Sequence, residues 1–320
     1  MSRPHLLIDA RIPDAPLTPL ADLAEVLRYE NQHEVDRYIS MYGNHIVGIA
    51  PLLTTPIDAG LLDRLPNLRM VAVYAVGVDN VDLDAARDRG VVVTHTPDVL
   101  TEATADLTWA LILAVARRLR EGERLARSGE WEGWHPRQLL GKELHGATLG
   151  ILGLGRIGAA VARRGVGFGM EVVYWSRSAK PEPEANLGAA RLAFEELLER
   201  ADVVSIHLPL TDETRHLIDA AALARMKPDA ILVNTARGPI VDEAALAAAL
   251  SAGRLFGAGL DVFEEEPGIH PGLIASDRTV LLPHLGSATV AARDAMARCV
   301  AGNLAAALRG EPPLTPVGSR

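Results

Sequence analysis

The sequence predicts an α/β protein built on two doubly wound parallel sheets, and three observations predict it. Short apolar runs alternate with helical patterns along most of the chain, a glycine-rich turn joins one apolar run to a helical pattern, and the alternation starts afresh near residue 147. In the first part the apolar runs are Leu6-Leu7-Ile8, Ile46 to Leu53, Met70 to Val73 and Val91 to Val93, and Pro19 to Glu30 reads as a helical pattern. Thr101 to Arg120 reads as one long helix, with Thr101 as N-cap, Glu102 and Asp106 near its start and arginines near its end. Its middle is apolar almost all round, which suits either burial in one core or a surface shared by two subunits, and the second option points to a homodimer.

The second series runs through Ala147 to Leu152, Glu171 to Trp175, Val203 to Leu208, Ala230 to Asn234, Gly257 to Val262 and Val280 to Leu282, with helical segments between. Parallel neighbours need such crossovers. A last helix, Thr289 to Leu308, follows, and the tail from Glu311, with Pro312, Pro313 and Pro316, reads as extended and polar.

With 320 residues, 48% hydrophobic and 23% charged, the chain has the composition of a globular protein and the length of about two domains. A net charge of -9 argues against a general attraction to nucleic acid or to an anionic membrane. Cys299 is the only cysteine, which excludes an internal disulfide and a cysteine-based zinc site and suits a reducing, cytoplasmic setting. The most apolar stretch, Leu107 to Ala116, is too short to span a bilayer before Arg117 and Arg118, and Met1 to Ala10 lacks a signal-type run. No His-x-x-x-His or similar cluster argues for a metal.

Gly153-Leu154-Gly155-Arg156-Ile157-Gly158 follows an apolar strand and opens a helical pattern, the context in which a G-x-G-x-x-G turn binds a dinucleotide. Gly153 permits the tight turn, Gly155 lets backbone approach a pyrophosphate, and Gly158 lets helix and strand pack closely. The next strand ends in Ser176-Arg177-Ser178, with no acid where a site preferring NAD carries one for the ribose hydroxyls. Ser176 and Arg177 offer a hydroxyl and a guanidinium to a 2′-phosphate, so the expected cofactor is NADPH, with NADH as the alternative.

Three further turns each follow a strand: Asn234-Thr235-Ala236-Arg237-Gly238, Asp261 to Pro267, and Leu282-Pro283-His284-Leu285-Gly286-Ser287. Reducing a keto acid requires a cation for the carboxylate and carbonyl and a proton donor for the forming alkoxide, and Arg237, Glu266 and His284 are the residue types for it. Glu264 and Glu265 read as an exposed acidic turn, and His207 as a structural or cofactor-lining residue. His135 and His145 read as structural or surface residues.

Together with Tyr74-Ala75-Val76-Gly77-Val78-Asp79-Asn80 and Gly259 to Pro267, these motifs resemble the D-isomer-specific 2-hydroxyacid dehydrogenases over essentially the whole chain, in particular their glyoxylate and hydroxypyruvate reductase branch. The resemblance implies two Rossmann-like domains, a discontinuous substrate domain (1 to about 98 and about 289 to 320) and a cofactor domain (99 to 288), with the two chain crossings as hinge. It implies reduction of a small 2-keto acid, with Arg237 holding substrate, His284 donating the proton and Glu266 keeping the imidazole in its charged, oriented form. It also implies that the backbone N–H groups of Val76 and Gly77 grip the substrate carboxylate, with Leu53 as a pocket wall and Trp134, in Gly133-Trp134-His135-Pro136, reaching a partner subunit's pocket. Asp261 would meet the nicotinamide carboxamide, and Thr235, Ala236, Arg237, His284 and Gly286 would border the ring. Two alternatives remain open: a dehydrogenase of another D-2-hydroxy acid, and a dinucleotide-sensing regulator of the same fold. Formate dehydrogenase-like enzymes fit less well, because Glu266 stands where they carry a neutral amide.

Overall fold

The computed structural model describes residues 3–318. The chain forms two compact units: one takes the residues up to Leu100 and those from Ser287 onward, the other is Thr101–Gly286.

The first unit contains β1 (His5–Asp9), β2 (Glu25–Tyr29), β3 (Ile46–Ala50), β4 (Met70–Ala72) and β5 (Val92–Thr94), all parallel, in the order β2-β1-β3-β4-β5. Leu7, Ile49, Val71 and Val93 face one core on this sheet. The last helix, Val290–Arg309, packs where Gly48 leaves room, since a Cβ there would lie 2.8 Å from Leu304 and 2.7 Å from Leu6. Thr289 caps that helix by accepting the Ala292 N–H.

Pro19 to Glu30 is not one helix. Its first residues end a 3-10 helix, Ala15–Asp22, and Glu25–Tyr29 is β2, pairing along its whole length with β1. The sheet supplies hydrogen bonds that the local apolar spacing does not reveal, and tertiary pairing overrides the helical reading. A helix unread in the sequence, Gln32–Tyr42, follows it, capped by Asn31, whose side chain accepts the Glu34 N–H at 3.0 Å. The tail is tied down: Asn303 accepts the N–H groups of Leu314 and Thr315, and Val317 donates to the Val93 carbonyl.

The second unit contains β6 (Thr148–Leu152), β7 (Glu171–Trp175), β8 (Ala190–Arg191), β9 (Val203–Ile206), β10 (Ile231–Asn234), β11 (Gly257–Leu260) and β12 (Thr279–Leu281). Their order is β12-β11-β10-β9-β6-β7-β8, parallel throughout. Direction of winding reverses between β6 and β9, and a ligand crevice is expected outside the strands' carboxyl ends at such a point. Both faces are covered, Leu149, Ile151 and Val233 lying in one core and Leu152, Val204 and Leu232 in the other. That double burial is why the strands read as continuous apolar runs.

The expected helix from Thr101 to Arg120 is two helices, Thr101–Ala116 and Leu119–Ser128, and Thr101 is its first residue rather than its cap. The break has a tertiary cause. Lys142 donates its N–H to the Ala116 carbonyl, the chain approaches so closely at Gly141 that a Cβ would lie 2.3 Å from that oxygen, and Arg118 turns left-handed at φ +53°. The first of the two helices is buried within its own unit: Leu111 meets β11 at Gly259, and Trp109 stacks on Phe168 and donates to the Val161 carbonyl. Among the described residues no helix is long and apolar enough to cross a membrane.

Candidate active site

The glycine turn leaves β6 at Gly153, whose φ of +97° only glycine adopts readily, and a Cβ there would lie 2.7 Å from the His207 carbonyl after β9. The turn therefore sits at the point where the winding reverses. Gly158 is equally constrained, for a Cβ would come within 2.2 Å of the Gly153 carbonyl. At Gly155 a Cβ would meet nothing within 4 Å, and this residue precedes the helix Arg156–Gly167 without any side-chain cap. An open approach to uncapped N–H groups at the helix start suits a pyrophosphate. Leu154 is buried beneath the turn.

At the end of β7 the expected phosphate contacts divide. The Ser176 hydroxyl donates to the Ser178 carbonyl at 2.6 Å, so its proton is committed inside the turn and is not aimed at a phosphate. Arg177 is exposed, and Arg191, in the two-residue strand β8, brings a second guanidinium to the turn by donating to the Ser176 and Arg177 carbonyls. Two residues are too few for periodicity to reveal a strand, so this cation escaped sequence reasoning.

Three turns at the carboxyl ends of β10, β11 and β12 come together. After β10, Asn234 accepts the Ala236 N–H and donates to the Arg237 carbonyl at 2.8 Å, closing a small ring that presents Arg237. Thr235 donates to Thr108, whose own proton goes to the Thr104 carbonyl. Gly238 lies against the Phe263–Glu264 peptide so closely that a Cβ would fall 1.9 Å from the Phe263 carbonyl carbon, which locks the first turn onto the second.

After β11, Asp261 is buried and spans the gap to the third turn: Oδ1 accepts the Leu285 N–H at 2.6 Å, Oδ2 accepts the Gly286 N–H at 2.7 Å, and its carbonyl accepts the His284 N–H at 2.9 Å. Burial pushes its carboxyl above the usual aspartate range against the pull of those two N–H groups and of His284. His284 stands left-handed at φ +56°, uncommon for a residue with a side chain, so this clamp holds strained backbone.

Within the cluster His284 Nδ1 lies 2.8 Å from Glu266 Oε2, while Glu266 Oε1 accepts the Phe263 N–H at 3.1 Å. Burial raises the Glu266 carboxyl, but the hydrogen bond and charge of His284, the Phe263 N–H and the charge of Arg237 outweigh it and leave it below the usual range. An ionised Glu266 accepts only, which makes Nδ1 the donor and turns Nε2 away as the nitrogen able to reach a substrate. The structure thus pairs Glu266 with His284 and brings Arg237 near enough for its charge to act on Glu266.

Glu264 is not part of an exposed acidic turn. Its Oε1 accepts the Glu243 N–H and its N–H donates to Glu243 Oε1, each at 2.7 Å, and Glu243 Oε2 accepts the His270 N–H. Glu243 opens the helix Glu243–Ser251, so in the sequence it looks like an ordinary first-turn acid. His207 is partly buried; Nε2 pairs with Ser205 at 2.8 Å, and burial pushes it down to about 3, leaving it neutral. His145 is exposed beside Gly169, and His135 lies with Trp134, which is 83% exposed, in an open segment. In the first unit Leu53 follows β3 and Val76 and Gly77 follow β4; Asn80 ties these turns by donating to the Leu52 and Thr55 carbonyls. Among the described residues no group of three potential ligands could hold a metal ion.

Residues 109–286 match the model of the D-isomer specific 2-hydroxyacid dehydrogenase NAD binding domain, and the chain is 48% identical over 318 residues to a glyoxylate reductase of Thermococcus onnurineus, covering 98% of this chain and 95% of that one. The chain belongs to the D-isomer specific 2-hydroxyacid dehydrogenase family. Its cofactor is a nicotinamide dinucleotide. Among solved structures, the enzyme resembles a glyoxylate reductase from Paecilomyes thermophila (35% identity, TM-score 0.91, 99% of both chains covered). It also resembles an NADPH-dependent glyoxylate/hydroxypyruvate reductase from Sinorhizobium meliloti, in complex with NADP and malonate (38% identity, TM-score 0.90, 99% of this chain and 97% of that one).

Proposed function

We propose that this dehydrogenase reduces glyoxylate, and hydroxypyruvate beside it, using NADPH in preference to NADH. The observation that carries the chemistry is the His284–Glu266 pair on a turn clamped by Asp261, with Arg237 near enough for its charge to act on Glu266. The bound nicotinamide supplies the hydride. His284 gives a proton from Nε2 to the forming alkoxide, Glu266 stays ionised and keeps the ring oriented through Nδ1, and Arg237 offsets the negative charge of the substrate. Backbone N–H groups at Val76 and Gly77 take the carboxylate, and Leu53 bounds the small substituent. Residues up to about 98 and from about 289 form the substrate domain, and 99–288 the cofactor domain.

Gly153, Gly155, Arg156, Ile157 and Gly158 receive the pyrophosphate. Thr235, Ala236 and Gly286 border the nicotinamide, and Asp261 faces its carboxamide while holding the His284 turn. Arg177, with Arg191 beside it, supports NADPH, since β7 ends without a carboxylate to repel a 2′-phosphate. The enzyme works as a cytoplasmic homodimer. Trp131 and Trp134, 57% and 83% exposed, are large apolar surfaces suited to a partner subunit, Trp134 in its pocket.

A panel of 2-keto acids assayed with NADPH and with NADH tests this reading. Fastest oxidation of NADPH with glyoxylate supports it; a faster branched or aromatic keto acid replaces the substrate, and binding of the dinucleotide with no turnover on any keto acid favours a sensor.

A further inference from the structure

We propose that His95 is a positioning residue for the substrate carboxylate, acting through the Val76–Gly77 peptide. The inference rests on the reading that the Gly77 N–H receives that carboxylate. β4 and β5 remain paired beyond their ends, Val73 donating to the Thr94 carbonyl and Thr96 to the Ala75 carbonyl, so His95 runs alongside the turn that follows β4. Its ring is half-buried and places Nδ1 2.8 Å from the Val76 carbonyl oxygen. A carbonyl only accepts, so Nδ1 carries the proton.

That oxygen and the Gly77 N–H belong to one planar trans peptide and point in opposite directions. Fixing the oxygen therefore fixes the direction of the N–H. Accepting a bond at the oxygen also polarises the peptide and makes its N–H a stronger donor. The backbone that carries the ring is itself held. Thr315 Oγ1 donates to the His95 carbonyl at 2.6 Å, the His95 N–H donates back to the Thr315 carbonyl, and Asn303 donates to Thr315 Oγ1 at 2.8 Å while accepting the Thr315 N–H. The C-terminal tail thereby sets how far the imidazole reaches, a use for a segment that otherwise reads as a plain polar end.

Two variants and one spectrum test this. His95→Leu removes the donor, and His95→Asn keeps an amide N–H able to replace it. The expected result for the Leu variant is a KM for glyoxylate and a Ki for oxalate each raised about tenfold, as the Gly77 N–H loses its fixed direction toward the carboxylate. Its kcat, its KM for NADPH and its Tm stay near wild type, and the Asn variant recovers most of the KM. In the enzyme labelled with ¹⁵N-glycine and saturated with NADP⁺, oxalate shifts the Gly77 amide proton downfield, and by less in the Leu variant. A wild-type KM and Ki in the Leu variant overturn the role of His95, as does a Leu variant that loses Tm and NADPH binding together and is not rescued by Asn. A Gly77 amide that oxalate leaves unmoved in the wild-type enzyme refutes the underlying carboxylate reading instead, and the spectrum separates the two failures.

Discussion

Between Leu152 and Arg156 the chain turns on backbone alone: Gly153 takes its positive φ, Gly158 leaves room for the Gly153 carbonyl to approach closely, and no side chain caps the helix that follows. The turns after β10, β11 and β12 are made in the opposite way. Asn234, Asp261 and Glu243 reach from side chain to backbone across them, and Gly238 seals two of them together. In the proposed function the first region receives an anion, which any set of well-placed N–H groups can hold, so little beyond backbone geometry is needed. In the same proposal the second region places one imidazole nitrogen on one atom, and a left-handed histidine keeps such a position only when surrounding bonds over-determine it.

Substitutions can sharpen or break that contrast. The largest effect is expected at His284→Gln, which removes the proton donor: kcat/KM for glyoxylate should fall about a thousandfold while fluorescence titration still shows tight NADPH binding. If kcat/KM holds, the assigned chemistry is wrong. Asp261→Ala should come next, a loss of about a hundredfold in kcat because the turn carrying His284 loses its clamp, together with a lower Tm because two N–H groups lose their acceptor. Equal loss of kcat in Asp261→Asn with an unchanged Tm would leave Asp261 its cofactor contact alone and remove the brace from the comparison.

The two glycines separate the roles inside the first turn. Gly158→Ala should weaken NADPH and lower Tm together, because its Cβ has no room, whereas Gly155→Ala should weaken NADPH about tenfold and leave Tm alone. Arg177→Ala is expected to raise the KM for NADPH about tenfold to a hundredfold and leave that for NADH unchanged, measured in parallel steady-state assays. Equal KM changes for both would remove the basis for the NADPH preference.

The smallest effect concerns pH. The Glu266 carboxyl lies below its usual range when folded, so its contribution to stability is complete above the unfolded glutamate value, about 4.3, and disappears as pH falls through the lower folded value. Urea unfolding of wild type and Glu266→Gln should therefore differ most near neutrality and converge in acid. A difference that grows on acidification would contradict the lowered value.

The legibility of these regions follows the same division. The glycine turn was readable as a strand–turn–helix junction because the positive φ of Gly153 and the close approach of Gly158 to the Gly153 carbonyl are local, whereas the packing of Gly153 against the His207 carbonyl was not. Arg237, Glu266 and His284 stood out as types and by resemblance, but the Asp261 clamp did not, nor did the exchange of bonds between Glu243 and Glu264, because each is a side-chain-to-backbone bond between segments about twenty residues apart that only the fold brings together. The misread stretch from Pro19 to Glu30 failed for a related cause. Its apolar spacing fits a helix locally, and only the neighbouring strand β1 makes it β2.

By itself the sequence determined the alternation of strands and helices, the glycine turn and the kinds of charged groups available, since period, glycine spacing and residue chemistry are properties of short segments. The tertiary structure alone decided where the Thr101–Ala116 helix ends, which acids brace backbone rather than face solvent, and which nitrogen of His284 is turned outward. Those are set by partners distant in the chain, whose approach only the packed sheet and its crossovers bring about.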